Sequence, residues 1–135
     1  MAVNDDWILH GYDIHRTDEG VLAELEIGSG QKLQGKGHGV IEAVVAAIQS
    51  RYELAISIEN YDEFAIGLGT TAQAICCLRL RSASAHGVGH LCSAAAIAED
   101  TTSTAIQALL TGASRLQRQI AAASSTQTPA VALSV

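Results

Sequence analysis

Hydrophobic and polar residues alternate most cleanly over Val21 to Ile27, where Val21, Ala23, Leu25 and Ile27 share one face and Glu24 and Glu26 stand on the other. A period of two marks a half-buried strand. A looser alternation over Trp7 to His15 predicts a strand before it, ended by the polar turn Arg16-Thr17-Asp18-Glu19-Gly20. Gly28-Ser29-Gly30 then turns the chain into a short third strand over Gln31 to Gln34. The period changes at Val40 to Tyr52, where Ile41, Val44, Val45 and Ile48 fall at i, i+3, i+4 and i+7, a helix face directed at a sheet. Alternation returns at Leu54, Ile56 and Ile58, a strand leading into Glu59-Asn60-Tyr61-Asp62-Glu63-Phe64, and Ala72 to Leu80 is apolar enough for a central strand. Ser82 to Ala85 reads as a turn. Asp100-Thr101-Thr102 offers N-caps for a second amphipathic helix, carrying Ile106, Leu109, Leu110 and Ala113 and ending near Leu116. Leu91 to Glu99 stays open between an added helical turn and a loop. The Ala, Ser and Thr residues from Ala121 onward suggest a disordered tail, which divides the chain into a folded domain over 1–120 and a tail over 121–135.

A glycine motif punctuates this pattern twice. Gly35-Lys36-Gly37-His38-Gly39 precedes the first helix, and a near copy, Gly87-Val88-Gly89-His90, stands 52 residues on. Each copy follows an apolar strand, Val21 to Ile27 or Ala74 to Leu80, and precedes an Ala-rich segment, so the chain reads as one supersecondary unit used twice, with His38 and His90 in equivalent places. Short connections in such units place both helices on one face of largely antiparallel sheets, an α+β fold with internal two-fold symmetry. The remaining face or edge needs cover, from the other unit or from a second chain, and a homodimer is the expectation. Glycines where strand gives way to helix can present N–H groups to the carboxylate of a small ligand. They can also satisfy a tight turn or a close helix-to-sheet contact, and spacing alone favours that second role.

Composition narrows the function. At 135 residues the chain is one domain, and with one Trp, one Phe and three Tyr its core must be built from Ala, Val, Ile and Leu. A net charge of −6 without a Lys/Arg cluster argues against nucleic acid and anionic membrane surfaces. No apolar run approaches the roughly 18 residues of a spanning helix, and Ala2 to Asp6 shows no secretory pattern, so a cytoplasmic location is expected. Cys76, Cys77 and Cys92 are odd in number and match no zinc spacing. Alternation sends Cys76 and Cys77 to opposite faces, so at most one could join His86 or His90 in a site; reduced core thiols are the favoured reading. His10 and His15 fit an edge strand, His38 and His90 fit turns and His86 fits a loop. Asp62-Glu63 beside Tyr61 reads as a solvated loop before it reads as an acid/base pair. No hydrolase, zinc-protease or calcium-loop motif is present, so no catalytic residue, metal or cofactor is assigned, and non-enzymatic binding leads.

In order along the chain stand Trp7, Tyr12-Asp13-Ile14, Gly35-Lys36-Gly37-His38-Gly39-Val40-Ile41-Glu42-Ala43, Ile58-Glu59-Asn60-Tyr61-Asp62-Glu63-Phe64-Ala65, Thr71-Ala72-Gln73-Ala74, Gly87-Val88-Gly89 and Thr102-Ser103-Thr104-Ala105 to Ser114-Arg115. This series resembles the C-terminal regulatory domain of 2-isopropylmalate synthase, a domain shared with citramalate synthase, from about Trp7 to Leu116. The resemblance implies two pseudo-symmetric β-β-β-α units forming a dimer, with the feedback inhibitor leucine held between regulatory domains. Carried over position by position, it implies effector contacts at Gly35, Lys36, Gly37, Gly39 and Val40, an apolar lining from Ile58, Tyr61, Ala65 and Ala72, and a further contact at His90. The sequence departs from the family pattern at His38, where proline is usual, at Asn60 and Asp62, and at Ser114. The catalytic barrel of the synthase, with its metal-binding His-x-His, has no counterpart here, so condensation chemistry is not expected of this chain alone. It reads as a free-standing module or part of a larger enzyme, with Met1 and the irregular tail leaning to the former. The alternatives are a purely structural dimerisation module, and a small metal protein or enzyme using His38, His86, His90 or Cys92.

Overall fold

The computed structural model describes residues 7–52, 54–67, 73–82 and 89–133. Strands β1 (Leu9–Thr17), β2 (Gly20–Ile27) and β3 (Gln31–Gly37) form an antiparallel meander, and helix α1 (Val40–Arg51) follows it. Strands β4 (Ile56–Ile66), β5 (Gln73–Ser82) and β6 (His90–Ala98) form a second meander, followed by α2 (Thr101–Leu133). The two β-β-β-α units therefore exist, each with one helix laid on its own sheet. The period-two pattern of β2 is realised without exception, since Val21, Ala23, Leu25 and Ile27 are all buried. Helix α1 buries Ala43, Val44, Ala47 and Ile48 against β2 and β3, and α2 buries Ile106, Leu109, Leu110, Ala113 and Leu116 against β5 and β6. The helices also touch each other, and one continuous core runs from sheet to sheet.

Strand pairing fixes how the units correspond. Both first strands carry a register shift at the same place, between Leu9 and Gly11 in β1 and between Ile58 and Asn60 in β4. Each is a bulge, one extra residue in the first strand. Aligning the bulges pairs Tyr12 with Tyr61 and Asp13 with Asp62. Their strand partners then pair Leu25 with Leu78 and Leu33 with Ala94. Continuing in step, Gly35 corresponds to Ala96, His38 to Glu99 and Gly39 to Asp100.

His38 and His90, expected in equivalent places, are not equivalent. His90 opens β6 and corresponds to Ser29 in the β2–β3 turn, whereas His38 follows β3. The repeat is real, but the two glycine motifs are not its equivalent parts. Glycine pairs recur wherever a hairpin turns tightly, as Gly28 (φ 60°) and Gly30 (φ 110°) do between β2 and β3. Gly87 and Val88 lie outside the described residues.

Other boundaries moved for physical reasons. Leu91 to Glu99, open between helix and loop in the sequence, is almost wholly strand β6; Cys92 and Ala94 point inward, but the residues are too small for the alternation to show. Strand β3 continues through Gly35-Lys36-Gly37 instead of stopping at Gln34, because Ala23 and Val21 pair with Gly35 and Gly37. Strand β4 runs on to Ile66, so Asp62-Glu63 is strand and not loop; the bulge at Glu59 shifts the pattern and hides the continuation. Helix α2 runs to Leu133 rather than ending near Leu116, which is the last fully buried residue of its core-facing stripe. Cys76 and Cys77 do face opposite ways, the first fully buried and the second half-buried, and Cys92 is buried too. Among the described residues no helix is long and apolar enough to cross a membrane.

Candidate effector site

The two helices start differently. In α2, Asp100 caps the first turn: its Oδ1 accepts the Ser103 N–H at 2.7 Å and the Tyr12 hydroxyl at 3.4 Å. Burial first, and Asp100 second, raise the pKa of that phenol. In α1 the corresponding residue is Gly39, extended at φ −143° and without a side chain to cap anything. The helical ladder begins with the Ala43 N–H on the Gly39 carbonyl at 3.0 Å. The N–H groups ahead of it, on Val40, Ile41 and Glu42, have no intrahelical partner, the normal state of a helix start. With the helix dipole they favour a negative charge there.

Against this first turn lies an open cleft of about 480 Å³, lined by Gly39, Val40, Ile41, Glu42 and Val45 of α1 and by Ile56 and Ile58 of β4. That volume falls within the roughly 300–1,000 Å³ of small-molecule pockets. The lining is aliphatic apart from Glu42. Beyond the bulge, Tyr61 continues the inward face of β4 opposite buried Leu78, and its hydroxyl donates to the Glu63 carboxylate. Burial, then Glu63 and Cys76, hold the Tyr61 phenol well above its ordinary pKa, and burial raises the Cys76 thiol as well. Both groups are therefore neutral near pH 7.

Residues 4–117 match the family model of the LeuA allosteric (dimerisation) domain. The chain belongs to this family. Among its relatives, the 2-isopropylmalate synthase of Alcanivorax borkumensis is 34% identical over 115 residues, covering 82% of this chain and 20% of that protein. The 2-isopropylmalate synthase of Pseudomonas savastanoi pv. phaseolicola is 35% identical over 112 residues, covering 80% of this chain and 18% of that protein. That of Pseudomonas putida is 32% identical over 122 residues, covering 85% and 20% respectively. The chain thus spans about a fifth of the length of the curated relatives it matches.

Of the residues singled out from the resemblance to this allosteric domain, Gly39, Val40 and Ile58 line one cleft. Gly37 lies beneath it, since a Cβ there would stand 2.7 Å from the Ala43 nitrogen and 2.8 Å from Glu42 Cβ. Gly35 lies further along the same contact, where a Cβ would collide with the Ala47 and Ala43 backbone. Both glycines let α1 rest directly on β3, the packing role that spacing favoured. Lys36 alternates to the other face of the sheet, exposed and in register with Leu22, and is not part of the cleft. Tyr61 and Ala65 follow Ile58 on the inward face of β4 but do not line the cleft, and Ala65 is exposed. His90 donates its backbone N–H to Ser82 Oγ at the start of β6, outside the cleft. Ala72 lies outside the described residues. Reasoning from the sequence missed Ile41, Glu42, Val45 and Ile56 as lining; the i, i+4 spacing of Ile41 and Val45 and the alternation of Ile56 with Ile58 were the available signals. No group of three metal-ligating side chains occurs among the described residues.

Proposed function

We propose that this chain is the effector-sensing and dimerisation domain of a cytoplasmic 2-isopropylmalate synthase, acting as a homodimer attached to a catalytic part and doing no chemistry of its own. The effector is leucine or a close branched-chain relative, held in the cleft between α1 and β4. One observation carries this reading: a helix start with no side-chain cap opens onto an aliphatic cleft of about 480 Å³. The amides of the first turn suit a carboxylate, and Val45, Ile56 and Ile58 suit a branched side chain. Gly35 and Gly37 support the site from below; Tyr61, Ala65, Ala72 and His90 belong to the reading only through the resemblance. Calorimetry with leucine, isoleucine and valine tests it, with saturable one-site heat expected for at least one of them. Absence of heat with all three would remove the effector.

A second reading, a dimerisation module without an effector, is favoured by a different observation. On the outer face of the second sheet Phe64, Ile75 and Ile97 stand in register, with Phe64 54% and Ile97 55% exposed. A stable dimer whose melting temperature ignores every small amino acid would select this second reading.

A further inference from the structure

The cleft between α1 and β4 holds one ionisable side chain among its described lining, Glu42. Its carboxylate has no hydrogen bond or ion pair among the described residues, while the stem of the side chain lies over Gly37, at a spacing that a Cβ on residue 37 would violate at 2.8 Å. Glutamate three residues after the cap commonly folds back onto the cap's own N–H; here no such bond is made, and the acid is left at the mouth of an apolar space. A lone, solvent-exposed carboxylate beside aliphatic walls repels an anion and attracts an ammonium group.

We infer that Glu42 is the specificity-determining residue of the cleft: it recognises the α-ammonium of the effector and makes the site select an amino acid over the 2-oxo acid of identical carbon skeleton. The inference rests on the reading of the cleft as an effector site and adds to it the chemical class that is accepted and the class that is refused. Leucine and 4-methyl-2-oxopentanoate share the carboxylate and the branched chain, so the first-turn amides and the walls of Val45, Ile56 and Ile58 treat them alike. Only the ammonium distinguishes them, and a charge-assisted hydrogen bond to Glu42 corresponds to about a tenfold or greater difference in Kd. Gly37 contributes indirectly, because its missing side chain gives the Glu42 stem its place.

The test is calorimetric titration of the full chain with leucine and with 4-methyl-2-oxopentanoate, for the wild type, Glu42→Gln and Glu42→Asp, each checked for an unchanged circular dichroism spectrum. The wild type is expected to prefer leucine by about tenfold or more. Glu42→Gln should bring the two ligands within about threefold of each other, chiefly by weakening leucine, and Glu42→Asp should restore part of the preference. A Glu42→Gln protein that binds leucine and keeps the full preference overturns the inference while leaving the effector site standing. A wild type that binds neither ligand overturns the effector site itself, and this inference with it.

Discussion

The two units of this domain share their strand register down to a bulge at the same position of β1 and β4, yet their helices begin in opposite ways. Where α2 is closed by Asp100 and reached by Tyr12, α1 starts at a bare Gly39 and faces an open aliphatic cleft. The second unit shows that this fold accommodates a capped start, so the uncapped one is a local choice and not a requirement of the architecture. The close helix-to-sheet contact differs too. In the first unit a strand glycine, Gly35, allows it; in the second the matching residue is Ala96, and a helix glycine, Gly112, lies against Leu80. The outer faces diverge in the same manner, with His15, Leu22 and Lys36 standing where the second sheet has Phe64, Ile75 and Ile97. One backbone therefore tolerates two surfaces and two helix starts, and the halves differ in which of these they leave open.

The largest test of this contrast is Gly35→Ala. A methyl group there meets the backbone of α1, which cannot swing aside as a side chain can, and we expect a loss of roughly 3 kcal/mol in urea unfolding. The reverse change at the matching position, Ala96→Gly, should cost only about 0.5–1 kcal/mol, the usual penalty of a strand glycine. Equal costs at the two positions would mean that the helices approach their sheets in the same way. Asp100→Ala should lower stability by about 1 kcal/mol through the lost cap, read as a shift in the midpoint at constant slope.

Gly39→Asp transplants the capped start into the first unit. No atom lies within 4 Å of a Cβ at that position, and its extended backbone suits an N-cap, so we expect a gain of about 0.5 kcal/mol. The same change places a carboxylate on the amides assigned to the effector, and should weaken leucine binding by about tenfold or more. A stabilised protein with undiminished binding would separate the helix start from the site. The smallest effect belongs to Tyr12→Phe, below about 0.5 kcal/mol, because the 3.4 Å hydroxyl contact to Asp100 is long and exposed.

How much of this was legible beforehand depended on the size of the side chains. Val21 to Ile27 announced itself because large apolar residues alternate with glutamates, and α1 because Ile41, Val44, Val45 and Ile48 repeat at helical spacing. Strand β6 did not, since Cys92-Ser93-Ala94-Ala95-Ala96 carries too little contrast for a period to register. The Asp62-Glu63 strand was masked by one extra residue at Glu59. Of the residues singled out from the resemblance, Gly39, Val40 and Ile58 share one cleft, whereas Lys36 stands on the far face of β3.

Taken alone, the sequence determined the elements with strong periodicity, the doubling of the unit, the apolar small-residue core and the family resemblance, because all of these are written in local spacing and residue type. The correspondence of His38 with Glu99 and of Gly39 with Asp100 was decided only by strand pairing, since register is a long-range property that a similar-looking glycine motif can misreport. The same holds for the cleft. The residue at the cap, Asp100 or Gly39, decides whether a helix start is sealed, but only the packing of the two units brings Ile56 and Ile58 of β4 to the Gly39 end of α1 to form a cleft, as it brings Tyr12 of β1 to Asp100.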